Sequence, residues 1–229
     1  MNTSQTHTYK NNDELRYHQK ILLDLIRESY SLNYEGKILD IGCANGIFLK
    51  NFNKKFRHFH STGVDTSKNM IILSKKNKIP NSKFIKKDFM NLENKSCYDI
   101  VVASGVLAFY DNFTIAINKM ISLLKNNSYL YIFGTFNSEN IDTVIKFRNN
   151  YTKSGWEKGL NSFSIKTISS FLKKKKLRFQ FKKFNLPINL KKKKNPIISY
   201  TLNNSKKKNI VLNGANIRME LFHLIIRKQ

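Results

Sequence analysis

Asp40, Gly42, Ala44 and Gly46 stand at every second position of the stretch ILDIGCANGIF, residues 38–48. A carboxylate that closes an apolar run, followed by small residues, lets the backbone come close to a ligand. A dinucleotide cradle needs glycines spaced G-x-G-x-x-G, and a P-loop needs Gly-Lys-Ser/Thr. Here the third small residue comes one position early and the Gly-Lys pair is absent. A pyrophosphate is therefore a poor fit. Two further carboxylates, Asp65 in HSTGVD and Asp88 in KFIKKD, also close short segments that read as strands. Carboxylates at the C-terminal ends of parallel strands lie where α/β sheets bind ligands.

The elements that must position these groups follow from periodicity. Residues 13–30 place Leu15, Ile21, Leu22, Leu25 and Ile26 at helical spacing. KILDI (37–41) reads as a buried strand, followed by a helix with Phe48, Leu49, Phe52 and Phe56 on one stripe. Strands are expected at 60–65, 83–88, 98–104 and 128–136. Helices are expected after Thr66 or Ser67, either of which can cap, and over 112–126. Strands alternating with helices argue for an α/β sheet covered on both faces. Beyond residue 137 the expectations are a helix opened by Ser138 over 138–150, a helix capped by Ser164 over 164–176, and a strand over 177–184. A basic, proline-punctuated excursion follows at 185–209, with an Asn-Gly turn at 212–216 and a final strand at 220–229.

Other chemistries find little support. Cys43 follows the first strand and Cys97 precedes the fourth, so they fall at opposite edges of a parallel sheet, roughly 15 Å apart and beyond disulfide reach. His7, His18, His58, His60 and His223 show no metal-ligand spacing, and no metal is expected. No apolar run approaches the roughly 20 residues of a membrane-spanning helix, and the N-terminus lacks the apolar core of a signal peptide, so the expected location is the cytoplasm.

The segment LDIGCANG is similar to the first motif of the class I S-adenosylmethionine-dependent methyltransferases, (D/E)-x-G-x-G-x-G. GVDTSKNMI (63–71), FIKKDFMNL (84–92), YDIVVASGVLAFYDN (98–112) and LKNNSYLYIFGTFN (124–137) resemble the later motifs in order. The resemblance implies an α/β, Rossmann-like, seven-stranded sheet, mostly parallel with an antiparallel last strand and helices on both faces. It also implies one domain over 1–229: a helical cap (1–35), a cofactor-binding core (36–137) and a C-terminal substrate side (138–229) with a basic insertion at 185–219. The cofactor implied is S-adenosyl-L-methionine. Asp40 would lie near its methionine end, and Gly42, Cys43, Ala44 and Gly46 would bring backbone against it. Asp65 would accept from both ribose hydroxyls, although it also suits a plain helix cap. Thr66 and Met70 would flank the adenosine, Asp88 and Phe89 would meet the adenine, and Ser104 and Gly105 would close the methionine side. The departure is Ala44, where the motif has glycine. It needs φ below zero or modest strain, and it narrows the space beside the ligand.

Methyl transfer from a sulfonium is an in-line displacement that proximity and orientation can drive. A general base, if needed, has candidates in Tyr110 and Asp111, which equally suit the start of a helix capped by Asp111 or Asn112. Tyr9 and Tyr17 could close over the cofactor, and Trp156 could line the acceptor pocket or simply pack. The amino-methylating motif (Asn/Asp)-Pro-Pro-(Tyr/Phe) is absent, which points to a small or medium biosynthetic acceptor, O- or N-linked, acidic or sugar-linked. The net charge of +26 is concentrated in residues 151–229, with 20 basic and 2 acidic residues. Two readings of it stand. One is an acidic partner such as nucleic acid, making a tRNA or rRNA methyltransferase the alternative. The other is compositional drift toward lysine, since only 7 of 41 basic residues are arginine. A non-catalytic binding protein of the same fold is the third option.

Overall fold

The computed structural model describes residues 14–93, 95–150, 155–192, 199–203 and 209–229. Five helices lie among them: α1 (Tyr17–Arg27), α2 (Ile47–Lys55), α3 (Lys68–Lys76), α4 (Phe113–Ser122) and α5 (Ile165–Lys174). The strands of the central sheet are β1 (Gly36–Ile41), β2 (Phe59–Asp65), β3 (Ser82–Lys86), β4 (Tyr98–Ser104), β5 (Leu124–Asn137), β8 (Phe163–Ser164), β9 (Arg178–Phe184) and β13 (Leu221–Arg227). The remaining strands are β6 (Lys146–Arg148), β7 (Trp156–Lys158), β10 (Tyr200–Asn203), β11 (Asn209–Leu212) and β12 (Arg218–Met219).

The sheet runs β3-β2-β1-β4-β5-β13-β9, with two-residue β8 paired to the end of β5. Strands β1 to β5 pair in parallel, and β13 lies antiparallel between β5 and β9. This is the expected Rossmann-like arrangement with its antiparallel last strand. Strands buried on both faces read as continuous apolar runs, and the two faces separate cleanly. Leu39, Ile41, Val101 and Ala103 pack with α4 and α5, whereas Ile38, Ile100 and Val102 pack with α1, α2 and α3. The expected stripe of α2 is buried throughout, with Phe48, Leu49, Phe52 and Phe56 at most 3% exposed.

Helix starts follow local capping. Ser67, rather than Thr66, receives the Met70 N–H, and Asn112, rather than Asp111, receives those of Thr114 and Ile115. Ser164 caps α5 as expected. The helix expected over 138–150 is absent. Ser138 instead donates its N–H and hydroxyl to Glu220, and the segment becomes β6, paired antiparallel with β7. Its residues alternate between exposed and half-buried from 142 to 148, the period of a strand rather than a helix. The Asn-Gly turn is present: Asn213 receives the Ala215 and Ile217 N–H groups between β11 and β12. Tyr9, His7 and the lysine run at 206–208 lie outside the described residues.

Candidate cofactor and acceptor site

Strand order reverses between β1 and β4, and the crevice beyond their C-terminal ends is where a doubly wound sheet takes its ligand. Asp40 occupies that position on β1, only 4% exposed and without a side-chain hydrogen-bond partner among the described residues. Burial, reinforced by the Asp65 charge, pushes its carboxyl well above the usual carboxylate range. Gly42 (φ 72°) and Gly46 (φ 78°) take the left-handed conformation that glycine adopts freely. A Cβ on Gly42 would fall 2.8 Å from a Val106 methyl group.

Ala44 is also left-handed, at φ 47°. The strained alternative is thus the one realised. It sets the Ala44 N–H 3.0 Å from Asp65 Oδ2, while Asp65 Oδ1 takes the Ser67 N–H at 2.8 Å. Asp65 therefore ties the glycine loop to the start of α3, doing the work of a loop clamp as well as standing in the cleft. Cys43 is buried against Gly63 with its thiol pushed up by burial, hence neutral. Cys43 and Cys97 are both free thiols.

Two cavities border this loop and a third lies past the end of β4. A small one joins Asp40, Gly42, Ala44 and Ser104 to Arg16 and His18 from the α1 side. A second, about 310 Å³, is lined by Gly42, Asp65, Thr66, Asp88, Phe89 and Tyr110. A third, about 420 Å³, begins at Gly105 and is walled mainly by apolar groups, among them Phe109, Phe133, Phe136, Ile145 and Leu160, with Arg218 and Glu220 at its polar side. Eleven of the twelve residues expected at the cofactor come to these walls or to the loop between them. Met70 does not: it is buried on α3 and lines none of the three.

The two base candidates are placed differently from expectation. The Tyr110 hydroxyl donates to Asp88 Oδ1 at 3.2 Å, and its ring packs edge-on to Phe89. Burial and then the Asp88 charge push the phenol up, so it stays protonated. Asp111 pairs with Lys158 at 2.7 Å and receives Asn161 Nδ2, contacts that pull its carboxyl down. It lines none of the three cavities. Trp156 is 70% exposed on β7, with Arg148 over its ring, outside the third cavity. Tyr17 is likewise exposed and carries Lys20 over its ring.

His18 was not foreseen. Its ring stacks flat on Phe133 at 4.1 Å and meets Phe184 edge-on. Burial, with Arg16 and His223 adding, lowers its pKa to about 3. Its signal lay in the helical stripe, four residues before Leu22. Asn161 was also missed. Nearly fully buried, it gives Nδ2 to the Tyr110 carbonyl and takes the Ile145 N–H on Oδ1, joining the loop after β4 to the segment leading into β6.

The family model described as "Methyltransferase domain" matches residues 32–178. A malonyl-[acyl-carrier protein] O-methyltransferase of Bacillus cereus is 26% identical over 119 residues, covering 52% of this chain and 44% of that protein. The chain thus spans less than half the length of that curated relative. Among solved structures, a SAM-dependent methyltransferase from Aquifex aeolicus covers 99% of this chain and 98% of its own at TM-score 0.56 and 12% identity. The 1,6-didemethyltoxoflavin-N1-methyltransferase of Burkholderia thailandensis, solved with S-adenosylhomocysteine, covers 99% and 85% at TM-score 0.58 and 12% identity. At such identity these two establish the fold, which the family match extends to kinship. The chain belongs to the methyltransferase-domain family of class I, S-adenosylmethionine-dependent methyltransferases.

Proposed function

We propose that this protein transfers the methyl group of S-adenosylmethionine to a small or medium acceptor with an apolar body and an anionic group. The observation that carries the reading is Asp40: a buried carboxylate without a hydrogen-bond partner among the described residues, facing a cavity beneath a left-handed glycine loop. A group so placed is costly to leave unpaired, and a ligand ammonium would satisfy it. Asp65, already oriented by two backbone N–H groups, keeps lone pairs for the ribose hydroxyls, and Asp88 with Phe89 is suited to the adenine. Thr66 borders the same cleft, while Ser104 borders the methionine side.

When bound, S-adenosylmethionine supplies an activated methyl group. The chain's own contribution is to hold donor and acceptor in line across Phe109, which lines both the cavity of Asp65 and Asp88 and the apolar one. Tyr110, held protonated, positions Asp88 rather than removing a proton. Asp111, engaged by Lys158, is also unsuited to that task. We therefore read the catalysis as orientation without either base. Arg218 on the wall of the apolar cavity is already paired with Glu220 at 3.2 Å, so the anionic group rests on the net charge of +26 and on the malonyl-[acyl-carrier protein] O-methyltransferase named above.

The test is methyl-label transfer from S-adenosylmethionine into a cell extract, followed by identification of the labelled product. A labelled anionic metabolite of modest size is expected. Label recovered only in RNA would overturn the acceptor class.

A further inference from the structure

The outward face of the β6–β7 hairpin serves neither the donor nor the acceptor cavity. From 143 to 148, Thr143, Ile145 and Phe147 are half-buried and Val144, Lys146 and Arg148 exposed. The register sets Lys146 opposite Lys158 and Arg148 opposite Trp156. One face thus carries Val144, 52% exposed, and Trp156, 70% exposed, among three cations. Like charges directly opposite each other destabilise a sheet, and a two-stranded hairpin is marginal to begin with. Asp111 offsets part of this through Lys158, and Glu157 belongs to the other face, opposite Phe147.

Cations alone would suit any polyanion. Val144 and Trp156 beside them narrow the choice. Trp156 would stack on an unpaired base, but the aliphatic Val144 beside it would gain nothing from bases or phosphates. At a bilayer surface, tryptophan rings and long cationic side chains sit together at headgroup level. The overall charge of +26 adds long-range attraction to anionic lipid. Thr143 and Ile145, on the reverse of the same segment, line the acceptor cavity. We propose that this face, formed by Val144, Lys146, Arg148, Trp156 and Lys158, docks the protein on an anionic lipid surface, with the acceptor cavity directly behind it.

Trp156 is the only tryptophan of the chain, so its emission reports this face directly. The full protein is titrated with vesicles of phosphatidylcholine containing phosphatidylglycerol and with vesicles of phosphatidylcholine alone. The expected result is a blue shift and co-sedimentation with the anionic vesicles only, reversed in about 1 M salt, where screening shortens to ~3 Å. Each cation removed should weaken binding roughly 5-fold, so the Lys146→Glu/Arg148→Glu variant should lose at least about 25-fold while binding S-adenosylmethionine normally. Several results would overturn the proposal. These are no shift with anionic vesicles, an equal shift with neutral ones, unchanged vesicle binding by that variant, or a response confined to single-stranded RNA or an acidic acyl carrier protein.

Discussion

At the scale of single residues, the site sets binding against stability. Asp40 is buried without a hydrogen-bond partner among the described residues, and its carboxyl is pushed well up. Replacing it with asparagine removes a charge that the ligand-free fold holds at a cost. Asp40→Asn should raise Tm by roughly 2–4 °C and weaken S-adenosylmethionine binding by roughly 10–100-fold, the worth of a charged hydrogen bond. Calorimetry and a thermal melt on the same sample check both signs. Ala44 sits at φ 47°, where an L-residue pays about 1–2 kcal/mol that glycine does not. Ala44→Gly should therefore stabilise the fold by about 1 kcal/mol, measured as a higher urea midpoint with an unchanged slope.

At the scale of elements, the parallel half of the sheet was legible chiefly through β1, β4 and β5, whose centres are buried on both faces and read as apolar runs, with β2 and β3 placed by their alternation with helical segments. The ends of β1, β2 and β4 therefore came out near their true places, and with them Asp40, Asp65 and Ser104. The segment after residue 137 was not legible in this way. Its apolar residues Ile141, Val144, Ile145 and Phe147 match helical spacing as well as strand spacing, and what decides between them is tertiary. Glu220 captures Ser138, the residue that would have capped the helix, and Asn161 holds the Ile145 N–H. The role of Tyr110 was hidden for the same reason, since its partner Asp88 lies 22 residues away. Asn161→Ala should cost about 1–3 kcal/mol through the buried groups it orphans. The loss should be local, with faster hydrogen exchange at Ile145 than in β1 or β4.

At the scale of the whole molecule, a half-buried imidazole, His18, and a buried one, His223, tie stability to pH. His18 is lowered to about 3 and His223 to about 4, both chiefly by burial, and neither ring nitrogen of His223 has a hydrogen-bond partner among the described residues. Their folded values lie below the unfolded value near 6.5, so the unfolded chain binds more protons in that interval. Stability is fully present above pH 6.5 and should fall as pH drops toward 4. The urea midpoint at pH 5 should be lower than at pH 7, and His223→Phe should flatten the difference. The charge of +26 also makes the molecule sensitive to anions and salt as a whole.

The measurement that bears most directly on the central claim is isothermal titration of S-adenosylmethionine into the wild-type protein and into Asp65→Ala. One site per chain is expected in the wild type, with binding at least about 10-fold weaker in the variant, which loses both the proposed ribose acceptor and the clamp on Ala44. No heat with the wild type, or equal affinity in the two proteins, would contradict the assignment of this crevice as the cofactor site.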